Sequence, residues 1–452
     1  MSVALQDGFI EQKGRILDFS ERVDPRSTAL VVVDVQNDFC HPDGVFGKLG
    51  HDLSMMPPMA ARLRELVAAA RRRSMLIVWV RATYDAVVTS EVLAETYNRR
   101  DFHDSQCLEG SWGADWYGNV SPQDAPNEVV VTKHRFSPFW DTPIDLYLRS
   151  NGIRSVVVTG VVTSGCVEST LRDAFFCDYY VVVAADCVAE ASQERHDYAL
   201  RKMSQAFGVV TPAADIIRTW DDSRENARSW DIEYKRANIL KDLSRRVDPR
   251  HTALVLVDLQ NDFCDPAGVM GSKGEGLEAI RAILPSVSNL LACAREAGVM
   301  VVHVKAEYGG ANQSDVSLFA GAGVSATACC LPGSWGAEIV PEVAPRPGEP
   351  VEVKNRFSGF VDTGLEKLLR ANHIRTVVVV GVATQCCVES TVRDAALRDY
   401  YVVVPRDCVA ARARMRHLHE ASLETMGLFF AEVLDASQVR AIWQRVGSRA
   451  AE

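Results

Sequence analysis

Histidine is scarce in this chain, 10 among 452 residues, and the 49 Lys and Arg are outnumbered by 59 Asp and Glu. Nowhere do the basic residues gather into a stripe that would track phosphates, which speaks against nucleic acid as a partner. No apolar run reaches the ~20 residues a membrane span needs, so no membrane association is expected. The N-terminal stretch "MSVALQDGFIEQKGRILDFSERVDPR" lacks the apolar segment of a secretory signal. Twelve cysteines spread over so long a chain do not form a disulfide scaffold. Without an export signal, the reading is a cytoplasmic protein with free thiols. What is present is 47% apolar and 24% charged residues, the balance of a soluble globular protein. The length exceeds one ordinary core.

The chain repeats itself. "RVDPRSTALVVVDVQNDFC" (22–40) returns as "RVDPRHTALVLVDLQNDFC" (246–264), "GSWGAD" (110–115) as "GSWGAE" (333–338), and "VTKHRFSPFWDT" (131–142) as "EVKNRFSGFVDT" (352–363). Residues 152–190 and 373–411 share 26 identities in 39 ungapped pairs. A spacing of 221–224 residues is a whole domain rather than a solenoid repeat. The reading is domain one over 1–220, a charged linker over 221–243 with a linking helix, and domain two over 244–452. Trp230, Ile232, Tyr234 and Ile239 of the linker are expected to pack on a surface.

Each half alternates strand-like and helix-like runs. "TALVVVDVQ", "MLIVWVRA", "EVVVTK", "SVVVTG" and "YYVVVAADC" read as strands. "MAARLRELVAAARRR", "TPIDLYLRSNG" and "CVESTLRDAFFCD" read as helices. The pattern predicts two tandem α/β domains, each a doubly wound parallel sheet in a three-layer α/β/α arrangement. Ligands of such sheets bind beyond the carboxyl ends of the strands.

Three reactive residues stand at such ends in each half: Asp34, Lys133 and Cys166, then Asp258, Lys354 and Cys387. A cysteine opening a helix meets free N–H groups and the positive end of the helix dipole, which favour the thiolate, as does a nearby ammonium. The same N–H groups suit an oxyanion, and a carboxylate beside them can carry protons. Nucleophile, cation and proton carrier are the parts of acyl transfer from a C–N bond. Taken singly, an Asp after a strand reads as a cap, a buried Cys as a core residue, and a Lys as solvated. The three together, repeated, point to a site. At these offsets Cys107, Cys177 and Cys293 have no cysteine counterpart. Cys40/Cys264 and Cys187/Cys408 do, and read as structural.

The motifs "VVDVQNDFC", "VTKHRFSPFWDT" and "TGVVTSGCVESTLRDA" together resemble the isochorismatase-like cysteine hydrolases, over roughly 20–220 and 244–445. The resemblance implies a six-stranded parallel sheet and an Asp–Lys–Cys triad that hydrolyses small amides and ureides through a thioester. It also implies a cis peptide before the motif threonine, at Val162–Thr163 and Ala383–Thr384, helping to aim oxyanion-hole N–H groups. True isochorismatases lack the nucleophilic cysteine. Nicotinamidases carry a metal site where this chain has "VRATYDAVVTS" and "VKAEYGGANQS", without histidine, so neither a metal nor a cofactor is expected.

Local likeness is strongest to the ureidoacrylate and biuret hydrolase branch, with maleamate- or nicotinamide-type amidase as the alternative. Arg81 and Lys305 read as partners for a substrate carboxylate or as surface cations. Asn37 and Asn261 read as substrate or loop positioners, or as helix caps. Trp140 and Val361 read as pocket residues, the tryptophan narrowing the first pocket. The halves are expected to form an intramolecular pseudo-dimer acting on a small molecule. Two other readings stand beside the enzyme: a binding module that retains the fold, and a redox protein cued by adjacent Cys386 and Cys387.

Overall fold

A computed structural model describes residues 18–98, 106–223, 230, 232–237, 239–274, 276–309 and 329–450. The chain divides into two compact units, Met1–Asn238 and Ile239–Glu452.

In unit one the β-branched runs form β1 (Thr28–Val33), β2 (Leu76–Ala82), β3 (Glu128–Lys133), β4 (Ser155–Val161) and β5 (Tyr180–Ala189). A sixth strand, β6 (Gly208–Thr211), went unread in the sequence because it is a four-residue, half-exposed edge. All pairs are parallel, in the order β3-β2-β1-β4-β5-β6. β1 and β4 are buried throughout, which is why they are continuous apolar runs rather than alternating ones. One face is covered by α1 (Met56–Arg72) and α5 (Ala213–Asp222). The other is covered by α2 (Ile144–Ser150), α3 (Glu168–Phe176) and α4 (Gln193–Ala206).

The charged stretch 221–243 opens inside the last turn of α5, which runs through Asp222. A short helix, α6 (Ile232–Ala237), follows. Trp230 anchors this stretch, its Nε1 donating to Ser74 O at 2.6 Å. Ile232 and Ile239 are exposed instead of packed. The side chain of Tyr234 lies outside the described residues.

Unit two repeats the plan with β7 (Thr252–Val257), α7 (Glu278–Glu296), β8 (Met300–Ala306), β9 (Val351–Lys354), α8 (Leu365–Ala371), β10 (Thr376–Val382) and α9 (Glu389–Ala396). It closes with β11 (Tyr401–Pro405), β12 (Val409–Ala410), α10 (Arg416–Phe429), β13 (Glu432–Leu434) and α11 (Ala436–Ala450). The order is β13-β11-β10-β7-β8-β9, with β12 also on β10. β11 and β12 together replace the single β5. Pro405 brings no N–H to the ladder, and a tight turn at Arg406–Cys408 interrupts the strand. Among the described residues no helix is long and apolar enough to cross a membrane.

Candidate active site

The strand order reverses between β1 and β4, the switch point beyond whose strand ends doubly wound sheets bind their ligands. Asp34 is the first residue after β1, Lys133 the last of β3, and Cys166 lies just past β4. The Asp34 backbone is left-handed, φ 52°, a conformation Asp tolerates better than most residues, and its N–H donates to Val80 O at 2.8 Å. Lys133 is level with Ala82 on the intervening β2, so its long side chain passes a methyl group on the way to Asp34. Gly160 brings β4 close to β1: with φ +107°, a Cβ there would sit 1.9 Å from Val33 O. Cys166 occupies a wide π-type turn, Thr163–Val167, that runs into α3. Thr170 Oγ1 donates to Cys166 O at 2.6 Å, which accounts for the threonine of "CVEST".

Lys133 Nζ lies 2.7 Å from Asp34 Oδ2, donates to Cys166 Sγ at 3.4 Å, and donates to Arg135 O at 3.0 Å. Asp34 and Lys133 are buried and Cys166 is nearly so. In unit two Lys354 Nζ is 2.8 Å from Asp258 Oδ2 and donates to Arg356 O at 3.0 Å.

Burial raises the Asp34 pKa above the ordinary carboxylate range, against the pull of Lys133. Burial alone would lower Lys133, but Asp34 and Cys166 outweigh it and hold the lysine above its ordinary value. Cys166 is pushed up to about 12, by burial first and by Asp34, with Lys133 opposing. Cys387 is raised first by the neighbouring Cys386 thiol, then by burial and by Asp258. This corrects the expectation of a pre-formed thiolate. Burial of the sulfur, helped by Asp34, outweighs the pull of Lys133 and favours the thiol form of Cys166.

This geometry occurs in a chain that matches the isochorismatase domain twice, over residues 28–215 and 252–438, together well over half its length. The chain belongs to the isochorismatase family. Solved structures to which this family member is similar each correspond in length to one unit. A cysteine hydrolase from Pseudomonas syringae pv. phaseolicola 1448A is 26% identical, covering 46% of this chain and 100% of that one, with a TM-score of 0.40. An isochorismatase family protein from Desulfovibrio vulgaris is 32% identical over 43% and 100%, TM-score 0.38. The N-carbamoylsarcosine amidase of Thermoplasma acidophilum is 27% identical over 41% and 96%, TM-score 0.35.

The isochorismatase units hold the triad with side chains that local sequence does not reveal. Gln36 Nε2 donates to Ala82 O at 2.8 Å and Ala114 O at 2.9 Å, and its Oε1 accepts from Ala82 N at 2.8 Å. Gln260 does the same in unit two. Asn37 Nδ2 donates to Trp112 O at 2.9 Å and Asn261 Nδ2 to Trp335 O at 2.8 Å, so both asparagines tie down the loop that carries the aspartate. Asp38 accepts from Val45 N and Cys107 N, and Asp262 from Val269 N and Cys330 N. Cys107 therefore has a counterpart, Cys330, at the 223-residue offset of the "GSWGA" motif, which corrects the reading that it has none. The motif glycine lies against that same carboxylate: a Cβ on Gly113 would meet Asp38 Oδ2 at 2.1 Å. Thr163 Oγ1 lies 2.9 Å from His196 Nδ1, and Thr384 Oγ1 lies 2.8 Å from His419 Nδ1.

Other readings move. The cis peptides are Val161–Val162 and Val382–Ala383, one residue earlier than expected, each joining the last residue of β4 or β10 to the residue that precedes the cysteine-bearing turn. Arg81 bonds Thr132 Oγ1 at 3.2 Å and is level with it, so the strand pleat turns it away from the face that carries Lys133. Lys305 is level with Val353, and pairs with Glu307 at 2.6 Å. Trp140 stands seven residues beyond Lys133 with 63% of its surface exposed, while Val361 is half-buried. The second histidine-free stretch expected to lack a metal runs past Gly309, outside the described residues. Among the described residues, Asp262, Cys329 and Cys330 bring donor atoms within 4.8 Å of one another. Both Asp262 oxygens already accept N–H groups there, as those of Asp38 do in unit one, so the cluster coincides with the loop anchor.

Proposed function

We propose that the chain is a cysteine amidohydrolase with two sites, each cleaving a C–N bond of a small carbamoyl compound, ureide or amide. One observation carries the reading: the side chains of Cys166, Lys133 and Asp34 meet, buried, at the switch point, the lysine 3.4 Å from the sulfur and 2.7 Å from the aspartate, in a hydrolase family. Sγ of Cys166 attacks the carbonyl carbon and its proton passes to Asp34, whose raised pKa suits it to accept. Backbone N–H groups of the catalytic turn take the oxyanion. Lys133 keeps the carboxylate oriented and steadies negative charge on sulfur. The C–N bond breaks, Asp34 returns the proton to the departing nitrogen, and a thioester remains. Water then adds to the thioester with Asp34 as base, freeing the thiol. Asp258, Lys354 and Cys387 act alike.

The test is ammonia release from a panel of ureidoacrylate, biuret, N-carbamoyl amino acids, maleamate and nicotinamide. Cys166→Ala and Cys387→Ala each remove one site. The double variant loses several orders of magnitude in rate. Full turnover by the double variant would sink the mechanism.

A further inference from the structure

Each cysteine-bearing turn opens on a buried threonine whose hydroxyl meets a histidine of a helix packed against it, Thr163 with His196 of α4 at 2.9 Å and Thr384 with His419 of α10 at 2.8 Å. The two bonds are not a copy of one local sequence. The strands in front of these helices end level, Val161 beside Ala189 and Val382 beside Ala410. From there unit two takes two residues more to reach its histidine. Ungapped counting would put His417 opposite His196, and His417 is exposed. The helix entries differ as well. Ser192 caps α4, its Oγ accepting from Arg195 N at 3.4 Å, whereas α10 follows a tight turn over Ala413–Met415 and has no side-chain cap. Through an insertion and a changed cap, the fourth residue of the helix still brings a ring nitrogen to the threonine. The backbone of the turn bonds mainly to its own root: Gly165 N and Val167 N donate to Val162 O at 3.0 and 3.3 Å, and Cys386 N and Val388 N donate to Ala383 O at 3.0 and 3.3 Å. A loop bonded in this way can shift as a body, and the histidine is a fastening outside it that both units share. Burial lowers both imidazoles from their ordinary 6.5, which leaves the rings uncharged at neutral pH.

We propose that His196 and His419 are positioning residues, which through Thr163 and Thr384 set each turn so that its sulfur and its N–H groups meet the substrate carbonyl together. The step they serve rests on the amidohydrolase reading; the placement of the sulfur does not. Nucleophile and oxyanion donors ride on the same loop, so both move when it moves, and a displacement of about 1 Å can cost about 100-fold in rate. Neither histidine touches the substrate in this account, so the loss falls on kcat rather than on KM.

The experiment uses the single-site chains. In Cys387→Ala, where only site one turns over, His196→Leu should lower kcat for ammonia release by about 10- to 100-fold and move KM by less than about twofold. His196→Asn keeps a polar atom where Nδ1 stood and should recover most of the rate. Thr163→Val should match His196→Leu, and the two together should cost no more than either alone. In Cys166→Ala, His419→Leu should do the same to site two, while His417→Leu changes nothing. Unchanged kcat in both single-site chains, or losses that multiply in the double variant, overturn the proposal. Should His196→Leu not fold, Thr163→Val against Thr163→Ser decides: a slow valine and a near-normal serine are expected, and equal rates overturn it. The rate at which iodoacetamide alkylates Cys166, followed by peptide mass, is independent of amide cleavage. It should slow in His196→Leu and recover in His196→Asn. Alkylation that behaves so in a chain releasing no ammonia from any amide would remove the amidohydrolase reading and leave the positioning in place. Alkylation that is the same in all three overturns the positioning.

Discussion

Around Cys166 the catalytic turn reads Thr-Ser-Gly-Cys and its serine is stitched to Glu190. Around Cys387 it reads Thr-Gln-Cys-Cys, with Gln385 Oε1 buried without a hydrogen-bond partner and Cys386 half-buried. Behind these turns the units match closely. Gln36 and Gln260, Asp38 and Asp262, Thr170 and Thr391, His196 and His419 make the same bonds. The contrast separates two kinds of constraint. Residues that hold the triad must keep a shape, because a strand end displaced by an ångström breaks a 2.7 Å ion pair. Residues in front of the triad meet whatever binds at the switch point, and there the copies are free to part.

The comparison is broken most severely at the lysines. Lys133→Met leaves Asp34 buried without its cation, which costs about 3–5 kcal/mol of unit-one stability and all activity of that site. Lys354→Met should do the same in unit two. Urea unfolding of each variant, with ammonia assays on the matching single-site chain, measures both. A large difference between the two costs would mean that the triads are not equivalent.

A finer contrast lies at the threonines. Thr170 and Thr391 both donate to the carbonyl of the catalytic cysteine, but Thr391 Oγ1 also accepts from Gly359 N at 2.9 Å. The residue matching Gly359 is Pro138, which has no N–H to give. Thr391→Val therefore orphans one more buried donor than Thr170→Val and should cost about 1 kcal/mol more in thermal or urea unfolding. Equal costs would refute the account.

The smallest effect is on acid stability. Trp79 on β2 donates to Glu128 at 2.8 Å; at the matching place on β8, His303 Nε2 lies 3.1 Å from Glu349. Burial lowers the His303 pKa from its ordinary 6.5, with Glu349 opposing. The unfolded chain then takes up a proton near pH 6.5 that the folded unit refuses. Stability from this group is fully present above that pH and is lost as pH falls from there toward the lower folded value. His196 and His419 are both shifted downward by burial, so this direction is common to the two units. Hydrogen-exchange protection between pH 7 and 5 should fall further in unit two, and His303→Trp should remove the difference.

Much of this was legible in the sequence because buried parallel strands are written as continuous β-branched runs, and the triad residues sit where those runs stop. The duplication marked the same places twice. β6 escaped because a short, half-exposed edge strand carries no such run. The braces escaped because their partners are remote: Gln36 bonds Ala82 and Ala114, Asp38 bonds Cys107, and Thr163 meets His196, none of them neighbours along the chain. Arg81 misled because its position at a strand end was plain, while the face it takes depends on register with β3. The raised pKa of Cys166 comes first from how deeply its own sulfur is buried, which no motif encodes.

Lys133 and Asp34 lie as a buried ion pair beside Cys166, and their opposite charges cancel at a distance. A buried, neutral cluster throws almost no field into the solvent. Encounter with substrate is then blind to ionic strength as far as the triad is concerned. Any salt dependence in turnover has to originate in front of the triad, where the two copies have parted.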